Sequence, residues 1–180
     1  MKNINFIGQF EIKKNIVRII DPCYDRNTWR SGCINDVKTG IWEIRIKNIN
    51  KRVGEIHVYH VDIKKDTIKK PHWIEQDFEI GVDSSLCGIF DDNIYPYEET
   101  DKYNEDDTFY EKCCDLTMGG VGVMDGGVVC ASGYGDGSYM CYTLEEKGQT
   151  VGIKVVFIDD ENEDDYEDDY EDEYEYDDIN

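Results

Sequence analysis

Period-two alternation of apolar and polar residues is the feature that most restricts what this chain can become. Within residues 40–48, Trp42, Ile44 and Ile46 fall on one side of an extended backbone, and Glu43, Arg45 and Lys47 fall on the other. That is the pattern of a half-buried strand. A polar turn at 48–54 precedes a β-rich run over 56–61, which predicts an antiparallel hairpin. Phe78, Ile80 and Val82 alternate again, and residues 86–90 follow as another apolar run. Residues 127–132, 138–144 and 150–158 read as three more strands joined by Gly-Tyr-Gly-Asp-Gly and Glu-Glu-Lys-Gly-Gln turns, which predicts a three-stranded meander. Helical pattern is sparse. Asp107 and Thr108 are placed to cap a short helix carrying Phe109, Cys113 and Leu116, and residues 27–30 suit a single helical turn. The expected fold is mostly β: an antiparallel sandwich or barrel-like sheet with one or two short helices.

Charge divides the chain in two. Of 180 residues, 41 are Asp or Glu and 19 are Lys or Arg, a formal net charge of −22. Residues 159–180 hold 15 of the acids and no Lys or Arg, which leaves residues 1–158 with a net charge of −7. The expected organisation is one β-rich domain over 1–158 and a disordered, Tyr-containing acidic tail over 159–180. Within the domain, residues 1–72 carry a net charge of +7 and residues 73–158 a net charge of −14. A sequence-nonspecific nucleic-acid binder needs clustered positive charge, which this balance disfavours, so no direct nucleic-acid binding is expected. No apolar run approaches the ~18–20 residues of a membrane span. Residues 1–10 lack the apolar core of a secretory signal, and an odd count of 7 cysteines suits reduced thiols. Together these predict an intracellular, cytoplasmic protein.

Few residues offer chemistry. Half of the 16 glycines lie between Gly119 and Gly137, but no Gly-Lys-Ser/Thr follows, so tight turns explain them better than a phosphate cradle. Cys23 sits in a turn-like Asp21-Pro22-Cys23-Tyr24 setting, and His57, His60 and His72 are the available imidazoles. On one strand, His57 and His60 face opposite sides. Cys113-Cys114 is not a CxxC pair, no second pair gives zinc-ligand spacing, and Asp91-Asp92-Asn93 lacks the oxygen-ligand spacing of an EF-hand. No cofactor or metal site is expected, and buried small hydrophobe is the default role for these thiols.

Four pieces occur in order: Asp21-Pro22-Cys23-Tyr24; Gly81-Val82-Asp83-Ser84 with Gly88-Ile89-Phe90-Asp91; Phe109-Tyr110-Glu111-Lys112-Cys113-Cys114-Asp115; and Gly133-Tyr134-Gly135-Asp136-Gly137-Ser138-Tyr139 with Cys141-Tyr142. In combination the chain resembles an uncharacterised family of microbial and large-DNA-virus proteins defined only as a domain of unknown function. The likeness spans most of residues 20–158. Members of that family read Ser-Gly-Gln-Ala where this chain has Ser84-Ser85-Leu86-Cys87. The resemblance implies no activity or catalytic residue, though the family's occurrence suggests a structural component of a virion or other particle. It does mark where to look: if loops at one end of a sandwich converge, Cys23, Asp83, Asp91 and Asp136 line one site. The alternative is that Asp21, Asp83 and Asp136 cap turns through side-chain to backbone hydrogen bonds.

The function expected from these features is binding. The acidic surface and tail would engage a basic protein or assembly, steered by charge. The competing expectation is a hydrolase or transferase using Cys23 or a carboxylate pair.

Overall fold

The computed structural model describes residues 4–96 and 108–159. Its strands are β1 (Ile4–Ile12), β2 (Val17–Ile20), β3 (Gly32–Ile34), β4 (Gly40–Ile49), β5 (Arg52–His60), β6 (Ile74–Val82), β7 (Leu86–Asp91), β8 (Val121–Met124), β9 (Gly127–Ala131), β10 (Gly137–Glu146) and β11 (Gln149–Val156). Helix α1 (Lys65–Lys69) precedes β6, and α2 (Phe109–Leu116) precedes β8. The strands form a six-stranded sheet ordered β1-β4-β5-β11-β10-β6 and a five-stranded sheet ordered β3-β2-β7-β9-β8. Strand pairs within both sheets are antiparallel. The sheets pack face to face and do not close into a barrel.

Between them lies one core in which Ile12, Trp42, Ile44, Ile56, Val58 and Ile153 of the first sheet meet Ile19, Cys87, Ile89, Val128 and Cys130 of the second. Alternation in β4 and β5 supplies the inward residues. The β4–β5 hairpin closes more tightly than expected, through Asn50 and Lys51 alone. Both take positive φ (49° and 65°), as a two-residue turn matching the strand twist requires. Trp42 is fully buried, and its indole N–H donates to the Lys38 carbonyl at 2.9 Å.

The expected meander does not form. Strand β9 joins β7 and β8 in the second sheet, whereas β10 pairs with β11 and β6 in the first. The second sheet is covered on both faces: its outer side carries Ile20, Phe90 and Val129 against Tyr95 and Cys113. Phe90, Tyr95 and Phe109 of α2 form a ring trio with centroids 5.2–5.6 Å apart. A strand buried on both faces reads as a continuous apolar run, and Val128-Val129-Cys130 is such a run. Gly88 opens space for that trio, because a Cβ there would sit 2.1 Å from the Phe90 ring.

Other expectations change more modestly. Helix α2 starts where expected, with Thr108 and Glu111 completing a reciprocal cap; Asp107 lies outside the described residues. Residues 27–30 form turns instead of a helical turn, and α1 was not foreseen. None of the seven cysteines is bridged; Cys87, Cys113, Cys130 and Cys141 are buried as small apolar residues. Of the tail expected at 159–180, only Asp159 is described; residues 160–180 lie outside the described residues. Replacing Trp42 with Ala is expected to cost about 3–5 kcal/mol, read as a lower urea midpoint with an unchanged slope.

Candidate functional site

Passing from β6 to β7 takes the chain from one sheet to the other in three residues, Asp83-Ser84-Ser85. Such a corner exposes backbone N–H groups that need acceptors. The fully buried Asp21 supplies them. Its Oδ2 accepts from the Asp83 and Ser84 amides at 2.8 and 2.7 Å, and its Oδ1 accepts from the Cys23 amide at 2.9 Å and from the Ser84 hydroxyl. Ser85 holds a φ of 60° and donates its amide to Asp136 Oδ1 at 3.0 Å. Tyr110 of α2 lies beside Ser84 and Cys114 at the same corner. The loop at 21–31, the β6–β7 corner, the β9–β10 loop and α2 therefore meet at one end of the sandwich.

Cys23, Asp83 and Asp136 thus do converge. Asp91 does not: it ends β7, about 17 Å along the strand from the corner. There it accepts from the amides of Lys13 (2.5 Å), Lys14 (3.1 Å) and Asn93 (3.0 Å). Its neighbour Asp92 takes Arg18 Nε at 2.9 Å and the Arg26 guanidinium. Asp21 and Asp136 cap turns, while Asp83 pairs with Arg30 Nη1 at 3.0 Å.

The corner is poorly suited to nucleophilic chemistry. Burial, followed by the hydrogen bond to Asp21 and that carboxylate's charge, pushes the Cys23 thiol up to about 12. A thiol, not a thiolate, is present at neutral pH, and the group beside it is a carboxylate. Two of the three imidazoles are committed elsewhere, and His72 is exposed just before β6. His57 Nε2 lies 2.7 Å from Glu55 Oε2 and its Nδ1 lies 2.9 Å from the Tyr59 hydroxyl. His60 Nε2 lies 3.0 Å from the Thr39 carbonyl, and its ring packs edge-on to Trp42. Among the described residues, no three His, Cys, Asp or Glu side chains are grouped to hold a metal ion.

Beside the corner opens a cleft of about 500 Å³, lined by Trp29, Arg30, Phe78, Glu79, Asp83 and Ser138 among others. Trp29 is 84% exposed, with the Arg30 guanidinium 5.0 Å from its ring centre. Arg30 Nη1 also contacts the Tyr24 hydroxyl at 2.8 Å. Sequence reasoning missed Trp29 and Arg30 as site residues, and quoted Ser84 and Tyr110 only within motif pieces, with no role. Ser84 and Tyr110 carried a signal through those pieces, and Tyr110 also through the helix-like Phe109–Leu116 run.

A separate charged cluster covers the outer face of the first sheet. Burial opposes ionisation of Glu55, yet hydrogen bonds from His57 and Lys47 (2.7 Å) outweigh it and hold the carboxyl at about 2. His57 is lowered, mainly by burial, which suits a neutral ring donating from Nε2 and accepting the Tyr59 proton at Nδ1. Lys154 Nζ lies 5.0 Å from the Trp73 ring centre and 4.3 Å from that of Tyr142.

Two measurements check these assignments. With alkylating reagent near neutral pH, Cys33, which is exposed, is expected to label well before Cys23, whose labelling should rise as pH approaches about 12; equal rates would contradict the corner geometry. Because the folded Glu55 value is depressed from 4.5 to about 2, its stabilisation is complete above the unfolded value and is lost as pH falls toward the folded one. Glu55→Gln is therefore expected to remove about 2 kcal/mol at neutral pH and to flatten the acid limb of a stability profile.

Among the described residues no helix is long and apolar enough to cross a membrane. Comparison with family models, curated proteins and solved structures finds no match for the chain.

Proposed function

We propose that this protein is a binding module whose acidic surface engages a basic partner, with residues 159–180 adding long-range attraction. The observation that carries the reading is on β6, an edge strand of the first sheet. Glu75, Asp77 and Glu79 are all exposed there at every second position, and none forms an ion pair among the described residues. Five other carboxylates are occupied: Asp21, Asp91 and Asp136 by amides, Asp83 and Asp92 by arginines. Asp36, Asp115 and Glu145 are exposed singly elsewhere, whereas β6 groups three carboxylates on one strand.

Capture by such a surface is steering followed by docking. Charge raises the association rate, and screening weakens it beyond a Debye length of about 8–10 Å at moderate salt. The expectations of a cytoplasmic setting and of the domain-of-unknown-function family belong to this proposal. The motif pieces at 21–24, 81–84, 109–115 and 133–139 are neighbours around the Asp21 corner, which explains why a chain with this corner keeps them together without implying chemistry. An enzymatic reading through Cys23 is disfavoured by its protonated thiol and carboxylate neighbour.

A Lys-rich peptide titrated into the full chain tests the reading. Affinity is expected to fall steeply with added salt. It should weaken about tenfold when the carboxylates of 160–178 are replaced by amides, and again in a Glu75→Gln, Asp77→Gln, Glu79→Gln triple variant. No binding at low salt, or binding indifferent to salt and to both variants, would refute it.

A further inference from the structure

The edge of β6 offers more than charge. In an antiparallel ladder, alternate residues direct both N–H and C=O toward the same neighbour. Gly81 donates its N–H to the Arg30 carbonyl at 3.0 Å, away from β10. Two residues earlier, Glu79 presents its backbone toward the same open side. Arg30 therefore occupies the first position of a would-be seventh strand. A Cβ at Gly81 would meet the Arg30 stem at 2.8 Å, so this glycine lets the loop lie against the edge. Beyond Arg30 no strand of the described residues pairs with this edge.

The cleft stands where that seventh strand would continue. Its lining includes Trp29, Arg30, Phe78, Glu79 and Ser138; the Trp29 ring has the Arg30 guanidinium 5.0 Å from its centre and is still largely exposed. Arg30 is already engaged by Asp83 and Tyr24, whereas Glu79 has no ionic partner among the described residues. An exposed indole beside an unpaired carboxylate suits a guanidinium or ammonium, which gains from the ring face and from the charge together.

We infer that β6 accepts an extended basic segment of the partner as an added strand, with one Arg or Lys side chain of that segment seated in the cleft between Trp29 and Glu79. The β6–β10 register slips between Glu79 and Glu75, so main-chain pairing is expected beside Glu79, with Asp77 and Glu75 adding charge beyond the irregularity. This rests on the reading of the protein as a binder of a basic partner. A second copy of this chain fits the edge poorly, since pairing β6 with itself sets like charges opposite one another. The same carboxylates keep the edge from pairing indiscriminately.

The test uses the full chain and a peptide alternating Arg with Thr, its N-methylated counterpart, in which alternate amides cannot donate, and a scrambled peptide of equal charge. The alternating peptide is expected to bind, to alter Trp29 fluorescence, and to lose about tenfold or more in affinity on N-methylation, on Trp29→Ala and on Glu79→Lys. Both substitutions are at exposed positions, and an unchanged melting temperature verifies folding in each. If all three peptides bind alike and neither substitution matters, strand addition is wrong while charge-driven binding stands. If no basic peptide binds, both readings fall. A concentration-dependent dimer of the free protein that Glu79→Lys dissolves would also overturn the inference, because the edge would then be taken by a second copy.

Discussion

The buried Asp21 carboxylate is the contact on which this architecture turns. A two-sheet sandwich needs places where the chain leaves one sheet and enters the other, and the sharpest of these is the corner at 83–85. Tight corners strand N–H groups that neither sheet can take up. Asp21 accepts two of those amides, the Ser84 hydroxyl and the amide of Cys23, so one side chain ties the loop after β2 to the turn between β6 and β7. Charge-assisted bonds of this kind are about twice as strong as neutral ones. The carboxylate is fully buried and satisfied by donors, with no cation paired to it among the described residues, so its role is to hold backbone in place.

That arrangement places residues with a chemical look in structural contacts at this end of the molecule. A thiol beside a buried carboxylate is held protonated, and the carboxylates that might pair across a substrate already accept amides or arginines. What the corner does provide is position. It sets the loop at 21–31 against the β6 edge, so that Trp29 and Arg30 wall a cleft no single segment could make.

Local pattern carried part of this. Alternation in Trp42, Ile44 and Ile46 located β4, and the Thr108 and Glu111 spacing located α2, because both signals depend on residues a few positions apart. The short β2 and β3 carried too little pattern to read, and β1 was masked by its Asn and Gln interruptions. Residues 127–131 looked like the next turn of a meander. Only the cover that α2 places over the second sheet explains why that run is apolar on both sides. The grouping of Asp91 with Cys23, Asp83 and Asp136 failed for a similar reason: motif order says nothing about which end of a strand a residue occupies.

By itself the sequence determined the strand-rich class, the segregation of acid toward the C-terminus and the burial of most thiols, since composition and two-residue periodicity act locally. Tertiary structure alone decided which strands share a sheet, which carboxylates are consumed by the fold and which stay exposed and unpaired. Those outcomes depend on hydrogen bonds between residues more than sixty positions apart, such as Asp21 with Asp83 and Ser84. A carboxylate's availability is set by whether a distant amide or arginine reaches it, and that distance is a property of the fold.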